Sequence, residues 1–141
     1  MTRNLASDAS GGEITAVTCF DPSHPKENMI DGDSSTFWVT TGLFPQEVVL
    51  KLGGDSQVTS IETVTTNAQV IEVRYTDTVT ATEWEDLCVL DLTERSGELQ
   101  YGSEDAPDGG VRATFLKFTI RNGWDDFVTV HKLGVSGEPL D

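Results

Sequence analysis

Between Ala113 and Arg121, Leu116, Phe118 and Ile120 alternate with Lys117, Thr119 and Arg121. That is the period of a strand that buries one face and wets the other. Ile71, Val73 and Tyr75 repeat it. The same alternation, rich in β-branched residues, marks further candidate strands at Ile14 to Phe20, Glu47 to Leu52, Val58 to Thr66, Val70 to Thr76, Leu87 to Leu92, Val128 to His131 and Leu133 to Ser136. Between them stand Asp31-Gly32, Gly53-Gly54-Asp55, Pro107-Asp108-Gly109-Gly110 and Asn122-Gly123, which supply the positive φ that tight turns need. No segment keeps a helical period, and no repeat at solenoid or propeller spacing is visible. About eight short strands therefore predict an all-β fold, a β-sandwich or jelly roll. The 141 residues suit one domain over positions 1–141 with a real core. Residues 1–12 read as a flexible tail and Ser103 to Gly110 as a long loop. Within Val58 to Thr66, Ile61 and Val64 differ in parity, which calls for a bulge or a shifted register.

Nine basic against twenty-four acidic residues give a formal charge of −15, which repels nucleic-acid phosphates and leaves no basic stripe for them to follow. No nucleic-acid partner is expected. The amino end lacks the apolar core of a signal peptide, and no run approaches the roughly 20 apolar residues of a membrane span, so a soluble, intracellular protein without membrane insertion is expected. Cys19 and Cys88 form no metal-ligand spacing and read as reduced, buried thiols, with a single disulfide left open.

The catalytic inventory is thin. His24 and His131 are the only imidazoles, neither with a nucleophile beside it. Glu62 and Glu72 are candidates for paired acid–base work on a sugar, although outward-facing strand carboxylates are usually just solvated. No phosphate-cradling glycine loop, zinc spacing or nucleophile elbow is present, and no enzymatic activity is expected.

One stretch concentrates oxygen. Asn28-Met29-Ile30-Asp31-Gly32-Asp33-Ser34-Ser35-Thr36-Phe37-Trp38 places an amide, two carboxylates and three hydroxyls around one glycine. Such a loop is either an ordinary turn or a hard-cation site, since calcium gathers carboxylate, amide, hydroxyl and carbonyl oxygens at a single bend. The helix–loop–helix calcium template fails here. Started at Asp31 it sets Thr36 where Gly belongs and Gly42 where Glu belongs, and aligned on Gly32 it ends on Trp38. Ile30 and Trp38 are the expected core anchors of the bend, Trp38 supporting it by packing. Trp84 and Trp124 read either as covers for the ends of the sandwich or as partner anchors, and Trp124 with Phe127 is a candidate interface patch.

Glu27-Asn28-Met29-Ile30-Asp31-Gly32 followed by Thr36-Phe37-Trp38 resembles the first calcium loop of discoidin-type, galactose-binding-like jelly rolls. The continuation Thr40-Thr41-Gly42-Leu43-Phe44-Pro45-Gln46-Glu47 is similar to the small jelly-roll subunits of intraflagellar transport complex B, also described as small-heat-shock-like. The resemblance is strongest over Pro25 to Val49, with a weaker echo from Ala113 through Phe127 to Val135-Ser136-Gly137-Glu138. It implies a jelly-roll β-sandwich of antiparallel strands, and a structural Ca²⁺ held by Asn28, Asp31 and Thr36, with a carbonyl from Asp33 and with Glu138 closing the site from the last strand. It further implies a heterodimer with a Rab-like small GTPase, contacts with other complex B subunits, and work in cytoplasm and cilium or flagellum. The alternative use of the fold is a carbohydrate-binding module. Against it stand the missing secretion signal, the absence of an Arg-plus-aromatic cluster and the lack of an attached catalytic domain, so simple sugars are not expected as ligands.

Overall fold

A computed structural model describes residues 3–19, 21–33, 35–40, 43–78 and 83–140. Phe20, the expected end of the first strand, lies outside the described residues, as do Ser34 and the Thr41-Gly42 pair. Among the described residues nine strands form: β1 (Arg3–Asn4), β2 (Glu13–Val17), β3 (Trp38–Val39), β4 (Gln46–Thr66), β5 (Ala68–Thr76), β6 (Glu85–Asp91), β7 (Gln100–Asp105), β8 (Val111–Gly123) and β9 (Thr129–Pro139).

All pairings are antiparallel, and the long β4 organises them. Its first half, Gln46 to Lys51, lies between β2 and β8, with β5 and β6 continuing that layer. Its second half, Ser60 to Thr65, lies between β7 and β9, and β1 and β3 pair with β9. One strand thus joins the two layers of a jelly-roll sandwich. Leu50, Leu116, Phe118, Ile120, Ile71 and Val73 of one layer face Val58, Ile61, Leu133 and Val135 of the other, each at most 2% exposed. Burying such side chains stabilises the fold by roughly 1.5–3 kcal/mol apiece.

Several expected boundaries differ. Glu47 to Leu52 and Val58 to Thr66 are one strand, because pairing to β8 resumes at Ser56 after an irregularity that begins past Lys51. At that bend a Cβ on Gly53 would come within 2.6 Å of the Ser10 carbonyl, so glycine permits the close approach. Val128 to His131 and Leu133 to Ser136 likewise merge into β9, where Gly134 stays paired to Glu62. The parity conflict resolves through register shifts after Val58 and Val64: Ile61 joins the core, whereas Val64 is buried outside it, beside Tyr101 and Lys132.

Residues 3–12 are not a loose tail. Leu5 and Ala6 are buried, Leu5 N–H donates to Val135 O at 2.7 Å, and Asn4 Oδ1 accepts from both Ala6 N–H and Val135 N–H. Ser103 to Gly110 is likewise structured: Ser103 to Asp105 belong to β7, and Ala106 N–H donates to Thr59 O at 2.9 Å.

Candidate metal centre

The oxygen-rich bend packs against the β9 side of the sandwich. After Pro25 the chain makes one 3₁₀ turn, Lys26–Met29, closed by Asn28 N–H to Pro25 O (3.0 Å) and Ile30 N–H to Glu27 O (3.1 Å). Met29 and Ile30 on one side and Trp38 on the other are buried, and the Trp38 indole N–H donates to Cys19 O at 3.3 Å. Gly32 takes φ +81°, and a Cβ there would meet nothing within 4 Å, so its glycine serves conformation rather than space. Asp31 Oδ1 accepts from Asp33 N–H at 2.9 Å, and Asp33 Oδ1 accepts from Ser35 N–H at 2.9 Å and from its hydroxyl at 2.6 Å. Two Asx turns in succession curl the chain. The Ser35 hydroxyl, aided by the Ser35 amide, holds the Asp33 carboxyl below its usual range. With that carboxylate engaged by Ser35, the carbonyl is the oxygen Asp33 offers to Thr36.

Thr36 is the hub. Its Oγ1 lies 2.7 Å from Asp31 Oδ2, 2.9 Å from Asp33 O and 3.5 Å from Asn28 O. A hydroxyl carries one proton and donates to one acceptor at a time. Asp33 O also accepts from Thr36 N–H at 3.2 Å, so Asp31 Oδ2 and the more distant Asn28 O are the acceptors that contest the hydroxyl proton. Oxygens of this kind are the donors that a hard cation takes, Ca²⁺ at about 2.3–2.6 Å. Asn28 Nδ2–H donates to Phe37 O at 2.9 Å, which fixes the amide with its Oδ1 turned away from Phe37. In donor chemistry the bend fits a calcium-type ion.

Four of the five expected ligands, Asn28, Asp31, Asp33 and Thr36, thus meet in one bend. Glu138 does not join them. It sits exposed on β9 opposite Gln57, beyond the Ser136 and Gly137 that pair with β1, whereas the bend packs near His131 of the same strand. Among the described residues no group of three or more His, Cys, Asp or Glu side chains is arranged to hold a metal, so Asp31, Asp33 and Glu138 do not form one.

The histidines have a different setting from the one weighed as bases. His24 stacks on Phe37 with ring centroids 4.3 Å apart and planes at 18°, and His131 packs on the same ring at 5.0 Å. Both clamp the residue that follows Thr36. No sequence pattern links them; the pairing of Trp38 with Val130 sets Phe37 beside His131, and His24 stacks on that ring from the segment before the 3₁₀ turn. Glu62 and Glu72 belong to different layers and face cations, Lys132 at 3.8 Å for Glu62, and Arg74 and Arg121 at 3.6 and 3.4 Å for Glu72. Neither cysteine is in a disulfide; Cys19 is buried and its thiol donates to Gln46 Oε1, whereas Cys88 is half-buried. Burial, with Glu104 adding to it, pushes the Cys88 thiol up to about 12, which keeps it protonated and un-nucleophilic at neutral pH. Lys117 Nζ lies 4.7 Å from the Trp84 ring centroid, while the Trp124 indole N–H donates to Leu92 O at 2.9 Å.

Comparison with known proteins places this geometry in context. Residues 13–133 match the F5/8 type C domain. The chain is 35% identical over 135 residues to intraflagellar transport protein 25 of Chlamydomonas reinhardtii, covering 96% of this chain and 70% of that protein. It is 33% identical over 134 residues to the intraflagellar transport protein 25 homolog of Mus musculus, covering 95% and 92%. Among solved structures it is similar in fold to the family 32 carbohydrate-binding module of a Clostridium perfringens protein in complex with galactose, with a TM-score of 0.78, 18% identity and coverage of 96% and 99%. It is also similar in fold to the fucolectin of striped bass, Morone saxatilis, with a TM-score of 0.74, 17% identity and coverage of 99% and 48%.

Proposed function

The chain belongs to the F5/8 type C domain family and, at 31–35% identity over 95–96% of its length, to the intraflagellar transport protein 25 family, and from that premise we propose that it is a non-catalytic subunit of intraflagellar transport complex B. In this reading it pairs with a Rab-like small GTPase, meets further subunits of the complex, and works in the cytoplasm and in the cilium or flagellum. The observation that carries the reading is kinship along nearly the whole chain, since the fold alone hosts many unrelated uses.

The reading includes one structural calcium in the Asn28–Thr36 bend. Asn28, Asp31 and Thr36 would hold it together with the Asp33 carbonyl. A bound ion would supply positive charge where Asp31 Oδ2, Asp33 O and Asn28 O gather around the Thr36 hydroxyl. The chain's own contribution is rigidity: Ile30 and Trp38 fix the two ends of the bend, and Phe37 is clamped by His24 and His131.

Affinity purification of the tagged chain from ciliated cells, with mass spectrometry of what accompanies it, tests the subunit reading. A Rab-like GTPase and other complex B subunits are expected. Recovery without them, or enrichment of glycans in their place, would overturn it.

A further inference from the structure

One end of the sandwich carries a concentration of apolar surface. There the segment entering β4 runs beside the turn from β8 to β9. Thr40 N–H donates to Val128 O at 3.0 Å, Val128 N–H donates to Thr40 Oγ1 at 2.9 Å, and a Cβ on Gly123 would come within 3.0 Å of the Phe44 ring. From this junction Leu43 projects 91% exposed, with Trp124 at 42% and Phe127 at 47%, half of the exposed large hydrophobics among the described residues. The tip is held in place. Phe44 packs on the core, the Gln46 amide donates to Leu43 O, and the Trp124 indole is bonded to Leu92 O. Holding such groups before binding lowers the entropy lost on docking.

Carboxylates rim the patch. Asp125 and Asp126 are exposed in the turn itself, and Glu94 and Glu98 are exposed in the stretch that follows Leu92, outnumbering the exposed Arg95 and the exposed Arg121, which faces Glu72. A second copy of this chain would set acidic rim against acidic rim, with −15 on each partner. An anionic bilayer is repelled in the same way. We infer that this end docks a protein face with an apolar recess for Leu43 and Phe127 surrounded by Lys and Arg. The inference rests on the subunit reading above and adds to it the surface and the chemistry of the partner's face.

The test is size-exclusion chromatography of the chain co-expressed with the Rab-like GTPase, in unmodified form and as Leu43→Asp with Phe127→Asp. Because both side chains are exposed, the double variant should keep the melting temperature of the parent; Leu43→Asp alone, at the most exposed position, serves as the milder second variant. Loss of co-elution, or a rise of 100-fold or more in Kd, is expected for the double variant. Asp125→Asn with Asp126→Asn should weaken binding about tenfold at low salt and flatten its salt dependence. Tyr101→Asp, on β7, should pair normally. If the unmodified pair co-elutes and the double variant pairs equally well, this docking surface is wrong while the subunit reading stands. If the unmodified pair does not co-elute, both fall.

Discussion

Thr36 gathers Asp31 Oδ2, Asp33 O and Asn28 O within 3.5 Å of its hydroxyl, the donor set that makes the bend a candidate cation site. Most of the site was legible in sequence, because Asn28, Asp31, Gly32 and Thr36 lie within nine positions and one turn brings them together. Glu138 was not, since its place depends on where along β9 the bend packs, a matter of register that local sequence does not encode. The Phe37 clamp was hidden for the same reason. If the bend holds calcium, a concentration one hundred times Kd stabilises the native state by about 2.7 kcal/mol. Chelator should therefore lower the melting temperature of the unmodified protein, and Asp31→Ala should abolish the difference. Coincident melting curves of the unmodified protein with chelator and with millimolar calcium would reduce the bend to a turn.

At the scale of elements, β4 spans both layers, so its neighbours are sensitive to added bulk. A Cβ on Gly137 would fall 1.9 Å from Gln57 O, backbone that cannot swing aside. Gly137→Ala should destabilise by ~3 kcal/mol, the upper end of ordinary overpacking, read as a lowered denaturation midpoint with an unchanged slope. Asp55, at the bend of β4, binds Arg112 and Thr114 of β8, and the Arg112 guanidinium followed by the Thr114 hydroxyl holds its carboxyl below the usual range. A lowered folded-state pKa adds stability above the unfolded value, roughly pH 3.9, that fades as pH falls through the folded one. Below about pH 4 the parent should thus lose melting temperature more steeply than Asp55→Asn. The strands with strict alternation, such as Leu116 to Ile120, were legible directly. β7 escaped because Gln100-Tyr101-Gly102-Ser103-Glu104-Asp105 lacks β-branched residues and pairs through β4 rather than through its own propensity. Residues 3–12 escaped because a short polar run gives no sign of the β9 edge it covers.

For the whole molecule, the formal charge of −15 bears on the kind of partner the sandwich attracts. Its acidity favours cations and basic protein faces, and three of its exposed apolar residues, Leu43, Trp124 and Phe127, gather beside exposed carboxylates. A specific, stable pairing would bury roughly 1,200–2,000 Å² in total, so Leu43, Trp124 and Phe127 can form the centre of an interface but not all of it. Native mass spectrometry of the chain co-expressed with the Rab-like GTPase, at micromolar concentration and with calcium present, reads partner and ion together. A species holding one copy of each protein and one calcium is expected, with the calcium removed by chelator. The chain observed alone, with the GTPase separate and no calcium bound, would contradict the account.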